Sequence, residues 1–287
     1  MAGSLATVSP LARRMRLGAE IRALRGTETA AAIARRAGLD RTVVSKIEAG
    51  ERRAGLDTIL KILDVLPIEP GGITYRELQQ IARDGLKKGW WGAAEYAQMG
   101  DRQARTADLE CGATIREYQG SMLPGLLQTE AYARHRGQVA IGKGHRFDLT
   151  ADVAGRLRRQ KQRTGTYDVV LEPQAIWRSP VPPDVMHEQL LHLLGIARTA
   201  ENVYIRLLPV DAQLGAGWVP RSPFAVYDYA AGDLTLVSVD TVGTDLVVTA
   251  PNEAADYAQL FEELRAAALD QKSSADLIQQ AAETLAA

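Results

Sequence analysis

The stretch from Thr29 to Arg53, TAAAIARRAGLDRTVVSKIEAGERR, most restricts what this chain can become, because its apolar spacing fits two short helices joined at one tight glycine turn. Ile33, Ala34 and Ala37 give the first helix a small apolar face. Gly38 ends that helix, since a left-handed backbone costs glycine least, and Leu39 fills the corner. Asp40 is expected to cap the second helix, on which Val44 and Ile47 stand one turn apart and face inward. Arg41, Thr42, Ser45 and Lys46 then face outward, and Gly50 closes the helix. Such residues near a helix N-terminus suit the base edges and phosphates of a DNA major groove. An ordinary helical hairpin with a solvated basic face would carry the same residues.

The pattern resembles the Xre-type, lambda-repressor-like helix-turn-helix, whose recognition helix commonly ends in Ile-Glu-x-Gly, matched here by Ile47, Glu48, Ala49 and Gly50. LDTILKILDVL, from Leu56 to Leu66, supplies the apolar helix this family places next, with Leu56, Ile59, Leu60, Leu63 and Leu66 at helical spacing. The resemblance implies a transcriptional regulator that binds a double-stranded DNA operator, with Arg41, Thr42, Ser45, Lys46, Arg52 and Arg53 as DNA contacts. It further implies a structural ion pair between Arg25 and Glu48. One such motif buries little DNA surface, so a homodimer on a near-palindromic site is expected. Two departures weigh against a phosphate contact from the second helix: a short connection, Gly26, Thr27 and Glu28, and Ala30 where the family often has glutamine.

Charge divides along the same line. Residues 1–66 hold 12 Arg or Lys against 7 Asp or Glu, a net +5, while the remaining 221 residues hold 22 against 28, a net −6. Only the N-terminal part suits a polyanion. A chain of 287 residues, 46% hydrophobic, can bury two cores. MAGSLATVSPLARRM lacks the apolar run of a signal peptide, and nowhere do about 18 uninterrupted apolar residues offer a membrane span, so a cytoplasmic protein is expected. The single cysteine, Cys111, excludes an internal disulfide and a cysteine-cluster metal site.

The first helix is expected to start after Ser9-Pro10 and run to Arg25, with Leu17, Ile21 and Leu24 on one face and Arg13, Arg14 and Arg16 able to reach phosphate. Residues 9–70 thereby form the helix-turn-helix domain. A Pro- and Gly-rich turn, PIEPGGIT, precedes TYRELQQIARDGLKK, so residues 71–89 are read as a helical linker and residues 90–287 as a second domain. Trp90 and Trp91 point about 100° apart if helical, which suits either two core tryptophans or one partner contact.

Residues 105–134, RTADLECGATIREYQGSMLPGLLQTEAYAR, resemble the core of the effector-like domain that follows the helix-turn-helix in WhiJ-like regulators, with Pro124–Thr129 the most specific string. The likeness continues through RLRRQKQR, VMHEQLLHLL and FEELRAAAL. It implies an antitoxin-like protein that holds a small protein partner encoded nearby, or else an effector domain for a ligand. The residues put forward for that site are Trp90, Trp91, Tyr118, Pro124, Gln128, Arg156, Arg159 and Glu172, with a solvated helix face as the alternative for the arginines.

Read from the residues, this half is α+β, so the whole chain is an all-α helix-turn-helix domain plus a mixed α+β C-terminal domain. Helices are expected at Asp152–Arg163, Pro183–Thr199 and Asn252–Leu269, the last capped by Asn252, followed by a weakly anchored helical tail from Ser273. Strand-length runs at Tyr167–Leu171, Val203–Leu208, Phe224–Tyr229, Leu234–Val239 and Leu246–Thr249 give a four- or five-stranded sheet. Nothing points to catalysis. His135, His145, His187 and His192 lack metal-ligand spacing, no Walker loop, G-x-S-x-G or dinucleotide fingerprint is present, and Cys111 reads as a small buried hydrophobe. Neither metal nor cofactor is expected.

Overall fold

Ser9 begins the first helix, α1 (Pro10–Arg25), by accepting the Ala12 amide at 3.0 Å, with Pro10 in the first turn where its missing N–H is harmless. The structure, a computed structural model, describes residues 5–215, 219–230, 232–241 and 245–286; residues 1–4 of the stretch read for a signal peptide lie outside these. It separates into two compact units, Met1–Trp90 with Tyr229–Leu234, and Trp91–Asp228 with Thr235–Ala287.

In the first unit α2 (Ala30–Arg36) is capped by Thr29, whose hydroxyl accepts the Ala32 amide at 3.2 Å. It ends at Gly38, φ +67°, where Leu39 N–H returns to Ala34 O at 2.8 Å and Gly38 N–H to Arg35 O at 3.2 Å. The next helix, α3 (Val43–Glu48), ends the same way at Gly50, φ +69°, with Glu51 N–H on Lys46 O at 3.0 Å and Gly50 N–H on Ile47 O at 2.9 Å. These left-handed glycines satisfy the last carbonyls while reversing the chain. Two more helices follow, α4 (Leu56–Leu63) and α5 (Ile73–Leu86). One core gathers Leu17 and Ile21 of α1, Ile33 and Ala34 of α2, Val44 and Ile47 of α3, Ile59, Ile62 and Leu63 of α4, and Leu78, Ile81 and Ala82 of α5.

Two sequence expectations need correction here. Residues 71–89 are not a linker: α5 packs along α1 because its apolar stripe enters the same core. Nor are the arginines of α1 turned to phosphate. Arg14 Nη1 donates to Gly85 O at 3.2 Å, while Arg13 and Arg16 lie 3.3 and 3.5 Å from Asp233, whose side chain is fully buried in this unit. A buried carboxylate draws such partners because it is costly to leave unpaired.

The second unit opens with α6 (Asp101–Glu110) and continues β1 (Ala113–Gln119), α7 (Glu130–Gly142), α8 (Leu149–Gln162), β2 (Tyr167–Leu171), α9 (Gln174–Trp177), α10 (Pro183–Thr199), β3 (Val203–Leu207), β4 (Phe224–Tyr229), β5 (Leu236–Val239), β6 (Leu246–Val248), α11 (Pro251–Ala267) and α12 (Gln271–Ala286). Among the described residues six strands form one mixed sheet, ordered β3-β2-β1-β4-β5-β6. β1, β2 and β3 are parallel, with Ile115 opposite Tyr167 and Tyr167 opposite Val203; β4, β5 and β6 are antiparallel. One face carries Tyr118, Val170, Phe224, Val226, Val237 and Val239 against Leu260, Phe261 and Leu264 of α11.

The expected four or five strands omitted β1, a central one. Arg116 and Glu117 interrupt the apolar run expected of a buried strand. Both are tolerated because they are partnered: Arg116 reaches Asp228 at 2.7 Å and Glu262 at 3.1 Å. Asn252 does not cap α11, which starts one residue earlier at Pro251. The tail is firmly held rather than weakly anchored: Ile278, Ala281 and Ala282 are buried where α12 packs on α10, and Ser274 Oγ accepts the Leu207 amide of edge strand β3 at 3.0 Å.

Helices α1 and α3 meet backbone to backbone at Gly18, where a Cβ would lie 2.6 Å from Ile47 O and 2.7 Å from Glu48 O. Gly18→Ala should therefore cost about 1–3 kcal/mol in a denaturant melt, the usual penalty of overpacking. Gly195→Ala, at a helical position with nothing within 4 Å, should match or exceed the parent stability.

Candidate nucleic-acid interface

Helix α3 has two sides with opposite duties. Val43, Val44, Ile47 and Glu48 are buried, while Arg41, Thr42, Ser45 and Lys46 are exposed around the same single turn, followed by exposed Arg52 and Arg53. Asp40 does not cap α3 itself, as the sequence suggested, because the helix starts three residues later at Val43, and Thr42 occupies the N-cap position without a side-chain capping bond. Asp40 instead fixes the turn that leads in. Its Oδ1 accepts both Thr42 N–H at 2.9 Å and Thr42 Oγ1–H at 2.7 Å, and its carbonyl accepts Val43 N–H at 3.0 Å. These bonds from Thr42 hold the carboxyl below the usual aspartate range. Ser45 Oγ in turn donates to Thr42 O at 3.0 Å.

The buried end of α3 is tied by charge. Glu48, its side chain only 2% exposed, accepts Arg25 Nε at 2.6 Å and Arg25 Nη2 at 3.1 Å, and Arg22 Nε at 3.3 Å. The Glu48 hydrogen bond also raises the guanidinium pKa of Arg25. Arg22 was not singled out in the sequence, although it sits three residues before Arg25 on the same helix face. Arg53, grouped with the phosphate contacts, is exposed but held by the end of α5: its Nη2 donates to Leu86 O and, at 3.4 Å, to Lys87 O. Carbonyls ending a helix carry partial negative charge and attract a guanidinium.

In the second unit the residues put forward for a partner site separate into different surroundings. Tyr118 donates its phenol to Glu172 at 2.9 Å. Arg156 donates to Gln128 Oε1 at 2.7 Å and sits 3.4 Å from Asp152, while Gln128 Nε2 donates to Leu123 O at 2.7 Å. Arg159 pairs with Glu110 and donates to Gln103, with only 7% of its side chain exposed. Arg156 and Arg159 of α8 are thus spent on internal partners, which the arginine-rich look of RLRRQKQR conceals. Gln160 completes the pattern by donating to Gly125 O at 3.0 Å and Gln128 O at 2.8 Å, which fixes the single turn after Pro124. Trp90 belongs to the first unit and is buried; Trp91 belongs to the second and is half-buried.

A polar stripe on the other face of the sheet was not legible in the sequence. Glu117 of β1 accepts Tyr167 Oη–H at 2.6 Å and Gln119 Nε2–H at 2.8 Å; Gln119 lies 3.4 Å from Asp240, and Tyr227 is 3.2 Å from Ser238. Burial, reinforced by the charges of Asp240 and Glu110, pushes the Glu117 carboxyl up to about 7 against the hydrogen bonds of Tyr167 and Gln119. Cys111 is half-buried, and burial near Asp108 pushes its thiol up to about 11, so it is protonated at neutral pH. A surface hollow of about 520 Å³ is lined by residues that include Asp101, Arg146 and Asp148, none of them put forward from the sequence. Among the described residues no group of three His, Cys, Asp or Glu side chains is placed to hold a metal, and no helix is long and apolar enough to cross a membrane.

Glu117 fixes the sign of a pH effect. Its pKa rises from 4.5 to about 7 on folding, so between those values the folded chain binds more protons than the unfolded one and stability falls as pH rises. The contribution is fully present below about pH 4.5 and lost above about pH 7. Glu117→Gln should flatten this slope, narrowing the gap between melts at pH 5 and pH 8 by roughly 2 kcal/mol relative to the parent.

Residues 20–81, from within α1 to within α5, match the helix-turn-helix family. Residues 103–280, from α6 into α12, match a domain of unknown function designated DUF5753. No curated protein and no solved structure matches the chain. The second match spans more than half of the sequence, and the chain therefore belongs to the DUF5753 family, with a helix-turn-helix preceding that domain.

Proposed function

We propose that this protein is a sequence-specific, DNA-binding transcriptional regulator that lays α3 in the major groove of a double-stranded operator. The observation that carries this is the exposed row of Arg41 and Thr42 in the turn into α3 and Ser45 and Lys46 on it, with the helix's opposite side locked into the core. Base edges accept hydrogen bonds from such side chains, and the net +5 of residues 1–66 favours a polyanion. One copy of a six-residue recognition helix contacts few base pairs, so tight binding calls for a homodimer on two half-sites about 34 Å apart. The net −6 of the remaining residues would repel DNA, which favours a small protein or ligand as the partner of the second unit, as the WhiJ-like resemblance suggests. Capture of a small protein encoded beside the gene would add the antitoxin-like role.

Reading and holding separate by mutation. Arg41→Ala should cost about 1–3 kcal/mol on the operator and relax preference at one base pair. Arg52→Ala should weaken operator and random DNA alike and reduce the salt dependence by about one unit. Fluorescence anisotropy with both DNAs at several salt concentrations measures each effect. Equal loss on both DNAs for Arg41→Ala would overturn its assignment to base reading.

A further inference from the structure

Serine and threonine hydroxyls usually read bases ambiguously, since each has one proton to give and two lone pairs to receive. The turn into α3 removes that ambiguity. The Thr42 proton is given to Asp40 Oδ1 at 2.7 Å and the Ser45 proton to Thr42 O at 3.0 Å. Neither acceptor can return a proton. A backbone carbonyl has none, and Asp40 is fully ionised at neutral pH because Thr42 N–H and O–H both stabilise its charge. Turning the Thr42 hydroxyl toward a base would forfeit a bond to a carboxylate, which is stronger than a neutral one.

Resting on the DNA-reading proposal above, we infer that Thr42 and Ser45 act as hydrogen-bond acceptors only, so that the strand facing them must present the amino groups of adenine or cytosine. The keto oxygens of guanine and thymine would meet lone pairs there. Donors are supplied separately by Arg41 and Lys46, exposed around the same turn and suited to guanine. Asp40 thereby becomes a positioning residue for specificity: it selects the polarity of Thr42 whether or not it touches DNA itself.

The test uses the full-length protein. Binding sites are selected from random duplexes with the parent and with Thr42→Val and Ser45→Ala, and the positions whose preference changes mark where each hydroxyl reads. Those positions should hold adenine or cytosine in the parent selection. Duplexes in which purine replaces that adenine, or 2-pyrimidinone that cytosine, lack only the amino group. They should bind the parent roughly five-fold more weakly, the worth of about one hydrogen bond, and bind the corresponding variant unchanged. Asp40→Ala, which removes the oxygen that takes the Thr42 proton, should let the hydroxyl turn and admit guanine or thymine at the Thr42 position. Guanine or thymine at the marked positions in the parent selection, or equal parent affinity for natural and analogue duplexes, would overturn the inference while leaving DNA reading intact. Enrichment of no sequence by the parent would overturn both.

Discussion

Glu48 is where the first unit is tied together. A carboxylate with so little exposed surface cannot stay charged without partners, and it takes them from α1 as Arg25 and Arg22. Four residues of that helix earlier, Gly18 lets the two backbones touch. The ion pair and the close approach thus act on the same end of α3, one by attraction and the other by removing what would hold the helices apart. This matters because α3 has only six residues, far fewer than a helix needs to persist by itself in water. Its existence and its orientation both come from packing.

The outward face inherits that order. With Val43, Val44 and Ile47 held in the core, the exposed residues cannot roll about the helix axis, and the bonds among Asp40, Thr42 and Ser45 fix even the direction of two hydroxyl protons. The buried side of a short helix sets where each polar group sits, and local hydrogen bonds set what it offers. Specific reading of a groove depends on both.

The second unit solves a different problem. Its sheet has one apolar face beneath α11 and one striped with Glu117, Gln119, Tyr167, Tyr227 and Ser238. Polar groups in such a place are stable only when satisfied, and the phenol of Tyr167, the amide of Gln119 and the paired Arg159 and Glu110 meet that demand. The same accounting explains why Arg156 and Arg159 face inward on a helix that looks solvated. Their charges meet Asp152 and Glu110, and the neighbouring Gln160 holds the turn after Pro124 in place.

How much of this was legible depended on the reach of each interaction. Pro183–Thr199, Tyr167–Leu171 and Phe224–Tyr229 have the same bounds in the structure as in the sequence, because helix and strand periodicity is written in neighbours a few residues apart. The glycine turns at Gly38 and Gly50 were legible for the same local reason. Strand β1 was not, since the partners that make Arg116 acceptable, Asp228 and Glu262, lie more than a hundred residues away. Nor did anything near Arg13 or Arg16 announce Asp233, or anything in residues 71–89 say that α5 shares the core of α1. The sequence by itself determined where the chain would coil, extend and turn, and which residues of α3 would face out. Only the tertiary structure decided which charges would be neutralised inside and which left exposed, because a buried charge takes its partner from whatever folding brings within about 4 Å, at any distance along the chain.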